Sequence, residues 1–256
     1  MEKILISLAI IGVVAAIGIG ATVAYFSDTE ISTGNTFTAG SIDLTVDSQC
    51  TYNEVVSSQC GAWTLKDLNP TADKFWNFSD IKPGDRGENT ISLHVENNDA
   101  YACFYVSPLS NNEKTCTEPE QVMETAAGHP CVVDAETGEL AQNIQFFAWD
   151  DINGNNVWDA GELPLFTNTK GPASDVLSGK TYFLGQLTGQ VTKFIGIYWC
   201  AGNLTATPGQ PNVLACDGTA MGNDCQSDSM TGSVAFYVEQ AKNNSNFTCP
   251  AAPSFQ

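Results

Sequence analysis

Residues 150–162, DDINGNNVWDAGE, gather oxygen-bearing side chains into one short stretch. Counted from the second aspartate, oxygen donors fall at positions 1, 3, 5, 7, 9 and 12, which is the ligand spacing of an EF-hand calcium loop. The six ligands are Asp151, Asn153, Asn155, the main-chain carbonyl of Val157, Asp159 and Glu162. Because Ca²⁺ prefers oxygen ligands, the stretch predicts a calcium site whose role is structural.

Position six of this loop is Asn156, where an EF-hand has glycine to make its sharp turn. Asparagine adopts positive φ more readily than most residues, so the turn remains feasible. The flanking segments IQFFAW and ELPLF do not resemble helices, since the first has strand composition and the second contains proline. We expect a calcium loop between β-strands, and the alternative is an Asn/Asp/Gly turn that holds no ion.

Alternation of apolar and polar residues predicts the elements that position this loop. It is clearest in SIDLTVDS and in NTISLHVEN, which follows a Pro-Gly-Asp turn. Further strand candidates are ACFYVSPL, IQFFAWD, KTYFLGQL, VTKFIGIYWC and GSVAFYVEQA, whereas only QVMETAA suggests a short helix. Residues 200–225 are rich in Gly, Pro and Asn and are expected to form a long surface loop. The pattern predicts an all-β fold, a β-sandwich with long loops.

The first 30 residues are strongly apolar, with no charge between Ile4 and Ser27. A short charged head, an apolar run and small residues near its end are typical of a secretory signal peptide. We expect residues 1–24 to be a signal peptide cleaved after Ala24. The run is also long enough to remain as an uncleaved membrane anchor. Behind it we place an N-terminal strand segment at residues 25–46 and a sandwich body at residues 47–256.

Charge and cysteine content narrow the class of protein. With 29 acidic against ten basic residues the net charge is −19, which argues against nucleic acid as a partner. No CxxC pair is present, so the cysteines favour disulfides in an oxidising compartment over a zinc site. Nine of them give up to four disulfides and one leftover thiol, with local pairs such as Cys50–Cys60 and Cys116–Cys131 plausible. The candidates are Cys50, Cys60, Cys103, Cys116, Cys131, Cys200, Cys216, Cys225 and Cys249.

Several blocks together resemble a known family. They are the leader ending ATVAYFSDTE, then STGNTFTAGSIDLTVD, WNFSDIKPGDRGENTISLHVENND and, near the C-terminus, SVAFYVEQAKNN. This order is similar to the TasA/camelysin family of secreted proteins. The resemblance implies a jelly-roll-like β-sandwich, a leader removed by a SipW-type signal peptidase, and an extracellular or cell-surface location. It also implies self-assembly into fibres of a biofilm matrix or of bundling pili.

In such fibres the N-terminal strand that cleavage frees inserts into a neighbouring copy, so the implied partner is the chain itself. Main-chain pairing with an open sheet edge would supply affinity, and alternate side chains would fill pockets. The candidate donor residues are Phe26, Ile31, Phe37, Ile42 and Leu44. The alternative is that this segment forms the first strand of its own sandwich. Nine cysteines and the insert around residues 116–162 depart from the simplest members of the family.

Some family members are described as metalloproteases, but the chain lacks a recognisable catalytic motif. Its two histidines, His94 and His129, are not in an HExxH sequence, and no GxSxG is present. Five tryptophans could form a sugar-binding platform, although core or loop anchors are the commoner role. We expect a fibre subunit without enzymatic activity. The alternatives are a monomeric cell-surface adhesion or binding module and a camelysin-like metalloprotease.

Overall fold

The computed structural model describes residues 41–57, 59–133, 136–166 and 170–255. Within them lie fourteen strands: β1 (Leu44–Tyr52), β2 (Val55–Val56), β3 (Trp63–Lys66), β4 (Arg86–Val95), β5 (Ala100–Val106), β6 (Ser110–Asn112), β7 (Ile144–Asp151), β8 (Lys170–Pro172), β9 (Thr181–Leu187), β10 (Lys193–Ala201), β11 (Asn203–Thr207), β12 (Val213–Asp217), β13 (Ser229–Thr231) and β14 (Val234–Gln240). Three α-helices accompany them: α1 (Glu118–Ala127), α2 (Leu140–Asn143) and α3 (Ala173–Val176), and two short 3-10 helices lie at Gly218–Ala220 and Asn223–Cys225. None of these helices is long and apolar enough to cross a bilayer.

Two antiparallel sheets make up the body. The large sheet has seven strands in the order β2-β1-β4-β10-β7-β8, with β3 also pairing with β1, and the small sheet has the order β14-β5-β9. Two ribbons, β6–β13 and β11–β12, stand outside both sheets. The predicted all-β fold is confirmed. The predicted helix at QVMETAA is α1, whereas part of the expected surface loop at residues 200–225 forms the β11–β12 ribbon.

One continuous core fills the space between the two sheets. Its large-sheet side includes Ile91 and Leu93 from β4 and Ile197 from β10, and its small-sheet side includes Ala102 and Phe104 from β5. All five side chains are buried, because alternate residues of each strand face the opposite sheet. This arrangement is the face-to-face packing of a β-sandwich.

The outer face of the large sheet carries a second apolar cluster. It contains the side chains that alternate along β7 and β10 with those of the main core, which are Phe147, Trp149 and Tyr198. Trp158 and Leu204 are buried in the same cluster. The strands β7 and β10 are therefore apolar on both faces, which is typical of strands covered on both sides. The cover consists of residues that follow β7 and of the β11–β12 ribbon.

Gly196 on β10 makes room for this second cluster. A Cβ atom at this position would lie 2.1 Å from the ring of Trp149 on the neighbouring strand. The indole therefore approaches the backbone of β10 so closely that only glycine fits at this position.

Four disulfides join distant and local parts of the body: Cys50–Cys60, Cys103–Cys249, Cys116–Cys131 and Cys200–Cys216. Both local pairs expected from the sequence are among them. Cys225 is the leftover thiol and is buried. Burial raises its pKa to about 12, and nearby Asp224 and Asp228 contribute, so the thiol stays protonated at neutral pH.

Candidate calcium loop and open sheet edge

The predicted calcium loop leaves the end of β7 on the outer face of the large sheet. Asp151 continues the outward series of Phe147 and Trp149 and is fully buried. Its Oδ1 accepts hydrogen bonds from the N–H groups of Gly154 (2.8 Å) and Asn155 (3.3 Å), and its Oδ2 accepts one from Asn156 (2.9 Å). One carboxylate thus organises the whole first half of the loop.

The turn occurs where the sequence predicted it. Asn156, at position six, has φ of 60°, and Gly154 has φ of 67°. The left-handed conformation that an EF-hand takes from glycine is here supplied by asparagine. The predicted position of the sharp turn is confirmed by this geometry.

Glu162 closes the loop from its other end. Its Oε1 accepts from the N–H of Ile152 and its Oε2 from the N–H of Asp159, both at 2.8 Å. Burial raises its pKa, and the charges of Asp151 and Asp159 contribute, although the two hydrogen bonds act in the opposite direction. The first and last predicted ligands are therefore both tied to the backbone of the loop.

Asp159 lies between the two amide side chains. Its Oδ2 accepts from the Nδ2 groups of Asn153 (2.8 Å) and Asn155 (2.9 Å). The oxygens of the same two amides accept from the N–H groups of Asn155 (3.0 Å) and Val157 (2.8 Å), so both amide orientations are fixed by hydrogen bonds within the loop. The carboxylates of the loop do not form a compact three-ligand cluster in this arrangement.

Charge around the loop is almost entirely negative. Asp150, the extra carboxylate at the start of the stretch, points to Lys193 at 2.7 Å. Glu88 on β4 accepts from the side chain of Asn156 at 3.2 Å, and burial together with Glu54 and Asp151 raises its pKa to about 7. The loop concentrates acidic groups without a basic side chain of its own, which favours a cation.

The loop also delivers Trp158 to the second apolar cluster. Its ring centroid lies 4.6 Å from that of Phe147, and its Nε1 donates to the main-chain oxygen of Glu162 at 3.2 Å. A cation held by the loop would therefore fix the cover of the outer face of the large sheet.

Three of the five tryptophans are buried. Trp149 and Trp158 belong to the outer cluster and Trp199 to the main core, while Trp63 and Trp76 pack against that core from its edge. All five therefore pack against one of the two apolar clusters, which agrees with the role of core and loop anchors.

The two histidines are far from forming a catalytic pair. His94 lies on the outer face of the large sheet, with Nε2 3.4 Å from Asp47 and Nδ1 3.1 Å from Thr192 Oγ1. His129 follows α1 and is exposed. Among the described residues, no histidine belongs to a cluster of three metal-ligating side chains.

Strand β14 forms one edge of the small sheet. Ser107 N donates to Ser233 O, and Ala241 N donates to Asp99 O, at the two ends of its pairing with β5. Hydrogen-bonded pairs alternate along an antiparallel ladder, so the odd-numbered residues of β14 bond to β5. The N–H and C=O groups of the even-numbered residues point away from β5, and no described strand pairs with them.

The core beneath this edge is incompletely covered. Val234, Phe236 and Val238 face the main core but are only half-buried, whereas Ala102 and Phe104 on adjacent β5 are buried. An added strand beside β14 would both pair its free main-chain groups and cover these side chains.

The opposite edge of the small sheet is less suited to accept a strand. The pairing of β9 with β5 shifts register beside Ala102, and Gly185 on β9 has φ of 85°. A bulge of this kind twists an edge strand and hinders further pairing.

The five predicted donor residues divide into two groups. Ile42 and Leu44 pack against the chain's own core, and Leu44 begins β1, where it pairs with Val95 of β4. The first described strand thus crosses the predicted boundary at residue 46, and these two residues belong to the chain's own sandwich. Phe26, Ile31 and Phe37, like the signal peptide at residues 1–24, lie outside the described residues.

Residues 2–59 match the family model described as camelysin metallo-endopeptidase. The N-terminal part of the chain is similar to the camelysin family. This is the family that the sequence resembles, and that prediction is confirmed. The match spans 58 of 256 residues, so the predicted calcium loop and most of the β-sandwich lie outside the camelysin match. No curated protein matches the chain.

Proposed function

We propose that the chain is an exported structural subunit that polymerises into extracellular fibres. In this proposal residues 25–41 of one copy add as a strand beside β14 of the next copy. The observation that carries it is the edge of β14, where free main-chain groups and half-buried core side chains occur together.

The donor segment is shorter than the sequence suggested. Because Ile42 and Leu44 are held in the chain's own sandwich, the donated strand ends before them. Phe26, Ile31 and Phe37 remain as the candidate apolar side chains of the donor. In an extended strand Ile31 and Phe37 face the same side, so these two would cover the row of Val234, Phe236 and Val238 in the neighbour. A strand of about 5–6 residues is an ordinary length in a sheet, so part of residues 25–41 is long enough for the proposed pairing.

Export is supported by the chemistry of the body. Four disulfides suit an oxidising compartment, and the camelysin match includes the apolar leader. We propose that a SipW-type signal peptidase removes residues 1–24. Cleavage would free the donor segment only after export, so that polymerisation is confined to the outside of the cell.

The loop at residues 151–162 is proposed to bind Ca²⁺ as a structural ion. Its support is the left-handed turn at Asn156, the buried Asp151 and the acidic surroundings. Ca²⁺ would hold Trp158 over the outer cluster and so stabilise the subunit against the conditions outside the cell.

We propose that the chain has no peptidase activity, although the family is named for one. The two histidines lie apart from any cluster of ligating side chains in the described residues. Histidine is a common ligand of catalytic zinc in peptidases, so the isolation of both histidines supports this proposal.

The experiment compares three forms of the mature protein. They are residues 25–256, the same chain with Phe26→Asp, Ile31→Asp and Phe37→Asp, and a chain that starts at residue 40. Sedimentation velocity and negative-stain microscopy are expected to show fibres for the first form and monomers for the other two. A mature chain that stays monomeric at every concentration would overturn the proposal and favour a binding module. Casein digestion blocked by a zinc chelator would favour the peptidase.

A further inference from the structure

Five acidic residues meet beside α1, away from the loop at residues 151–162. Glu120 and Glu124 lie on one face of α1, Glu113 follows β6, Glu139 precedes α2, and Asp228 precedes β13. These five residues are called the carboxylate cluster below. They come from four separate segments, which the fold brings together where the β6–β13 ribbon meets α1.

Glu113 and the two members on α1 are almost completely buried. Glu113 is 1%, Glu120 0% and Glu124 3% exposed. Both carboxylate oxygens of Glu113 lack a hydrogen-bond partner, and so do Oε1 of Glu120 and Oε1 of Glu124. Buried polar groups without partners are uncommon and costly. These oxygens therefore need either a cation or protons shared between neighbouring carboxyl groups, and Glu113–Asp228 and Glu124–Glu139 are close enough for such sharing.

The distances fit a shared cation. Ligand oxygens of Glu113, Glu120 and Glu124 all lie within 4.8 Å of one another, and so do those of Glu113, Glu139 and Asp228. Glu113 is common to both groups. Oxygen atoms bound to one ion at 2.3–2.6 Å are separated by no more than about 5 Å, so each group is compact enough to hold an ion.

No basic side chain neutralises these carboxylates. None of the five ion pairs formed by the described residues includes a member of the carboxylate cluster. Five carboxylates in one buried place would repel one another unless protons or cations compensate. Burial and the neighbouring acidic groups raise the pKa of Glu113 to about 8 and that of Glu139 to about 7.

In Glu120 and Asp228, one carboxylate oxygen already accepts hydrogen bonds from the backbone. Glu120 Oε2 accepts from the N–H of Thr117 at 2.8 Å, where it caps the start of α1. Asp228 Oδ2 accepts from the N–H groups of Glu139 (2.6 Å) and Leu140 (3.2 Å). In each residue the other oxygen, Oε1 or Oδ1, has no partner. Such second interactions orient a ligand before the metal binds.

Covalent bonds restrain the same region. The Cys116–Cys131 disulfide joins the segments before and after α1, so its two sulfur atoms are not available as metal ligands. Cys225 lies nearby with a raised pKa of about 12 and remains a thiol. The available ligands are therefore oxygen atoms only.

We propose that the carboxylate cluster is a second calcium site, in which Glu113 is shared by the two groups of ligands. Oxygen ligands without nitrogen or sulfur select hard cations, and a varied, carboxylate-rich set suits Ca²⁺ better than the strict octahedron of Mg²⁺. The site would join α1 to the β6–β13 ribbon and act independently of the loop at residues 151–162.

The test uses the mature chain, residues 25–256, with the loop disabled by Asp151→Asn and Glu162→Gln. After removal of metal by EGTA, calorimetric titration with CaCl₂ at pH 7.5 is expected to show binding of at least one ion per chain. The melting temperature is expected to rise by several degrees between EGTA and 10 mM CaCl₂. No binding and an unchanged melting temperature in this loop-disabled chain would overturn the proposal.

A second variant assigns the residues. Adding Glu113→Gln and Glu139→Gln to the loop-disabled chain is expected to abolish the remaining calcium response. The control is Glu118→Gln, at an exposed acidic residue on α1 outside the cluster, and it is expected to preserve the response. Equal loss in both variants would contradict the assignment. If the Glu113 variant does not fold, the loop-disabled chain still decides the proposal. A stronger response to ZnCl₂ than to CaCl₂ would refute the choice of cation.

Discussion

Replacing Asp151 with asparagine removes one charge from the predicted calcium loop with little change of shape. The buried carboxylate accepts three backbone hydrogen bonds, and asparagine keeps one acceptor oxygen for them. Because the aspartate is also the first predicted ligand, we expect Asp151→Asn to lower the calcium-dependent part of the stability. The relevant quantity is the rise in melting temperature between EGTA and 10 mM CaCl₂, compared between variant and wild type.

The size of this effect follows from linkage. Extracellular calcium modules bind with Kd of about 10⁻⁴ to 10⁻³ M, so 10 mM Ca²⁺ is roughly 10 to 100 times Kd. Binding to the folded state alone then stabilises it by about 1.4 to 2.7 kcal/mol. For a domain of this size each kcal/mol raises the melting temperature by about 2–4 °C, which gives roughly 3–11 °C for the loop.

Differential scanning calorimetry measures this difference directly. The matched control is Asp150→Asn, since Asp150 is the adjacent carboxylate but pairs with Lys193 and is not a predicted ligand. We expect the control to keep the full calcium-dependent rise in melting temperature, and Asp151→Asn to lose roughly 3–11 °C of that rise. The reasoning is refuted if the two variants respond alike, or if Asp151→Asn responds as the wild type does.

Three further predictions concern the body. Gly196→Ala should destabilise the protein by about 1–3 kcal/mol, because its Cβ would overlap Trp149, and adding Trp149→Phe should recover part of that loss in urea unfolding. Removing the Cys103–Cys249 disulfide, with a sequence separation of 146, should lower the free energy of unfolding by about 5 kcal/mol, because it closes a long loop. Removing Cys50–Cys60, with a separation of 10, should lower it by about 3 kcal/mol, and the reverse order in urea unfolding would contradict this. In EGTA the stability should fall as pH rises from 5 to 9, because protonation of the carboxylate cluster stabilises the folded state and this contribution is lost as pH rises through the raised pKa values at about 7 and 8. A melting temperature that does not change with pH would exclude this.

The alternating strands could be predicted from sequence because their pattern is local. NTISLHVEN became β4, and VTKFIGIYWC became β10, although β10 is apolar on both faces. The turn at Asn156 was equally local, since ligand spacing and one φ-tolerant residue are read from a single stretch. Strands and turns of this kind depend on residues close together in the sequence, which is why they could be predicted from it.

The carboxylate cluster could not be found in this way. Glu120 and Glu124 are one helical turn apart, which places them on one face of α1, but Glu113, Glu139 and Asp228 reach them only through the tertiary fold. A charged residue on a helix is usually solvated, so nothing local marked these as buried. The long-range disulfide Cys103–Cys249 was hidden for the same reason, because spacing alone does not fix connectivity.

The residues around the start of β1 show a different limit of prediction from sequence. Alternation correctly made Ile42 and Leu44 part of a strand, but it does not say which copy of a chain completes that strand. Pairing with β4 assigns Leu44 to its own sandwich and leaves residues 25–41 for the proposed donation.

Amide exchange at β14 tests strand donation most directly. Isotope-labelled residues 40–256, which form one compact unit, are titrated with a peptide of residues 25–41 and followed by NMR hydrogen exchange. The account predicts that the amides of Phe236, Val238 and Gln240, which point away from β5, become protected, while those of Tyr237 and Glu239 are protected before and after. If the even-numbered amides exchange at the same rate with and without saturating peptide, donation to β14 is wrong.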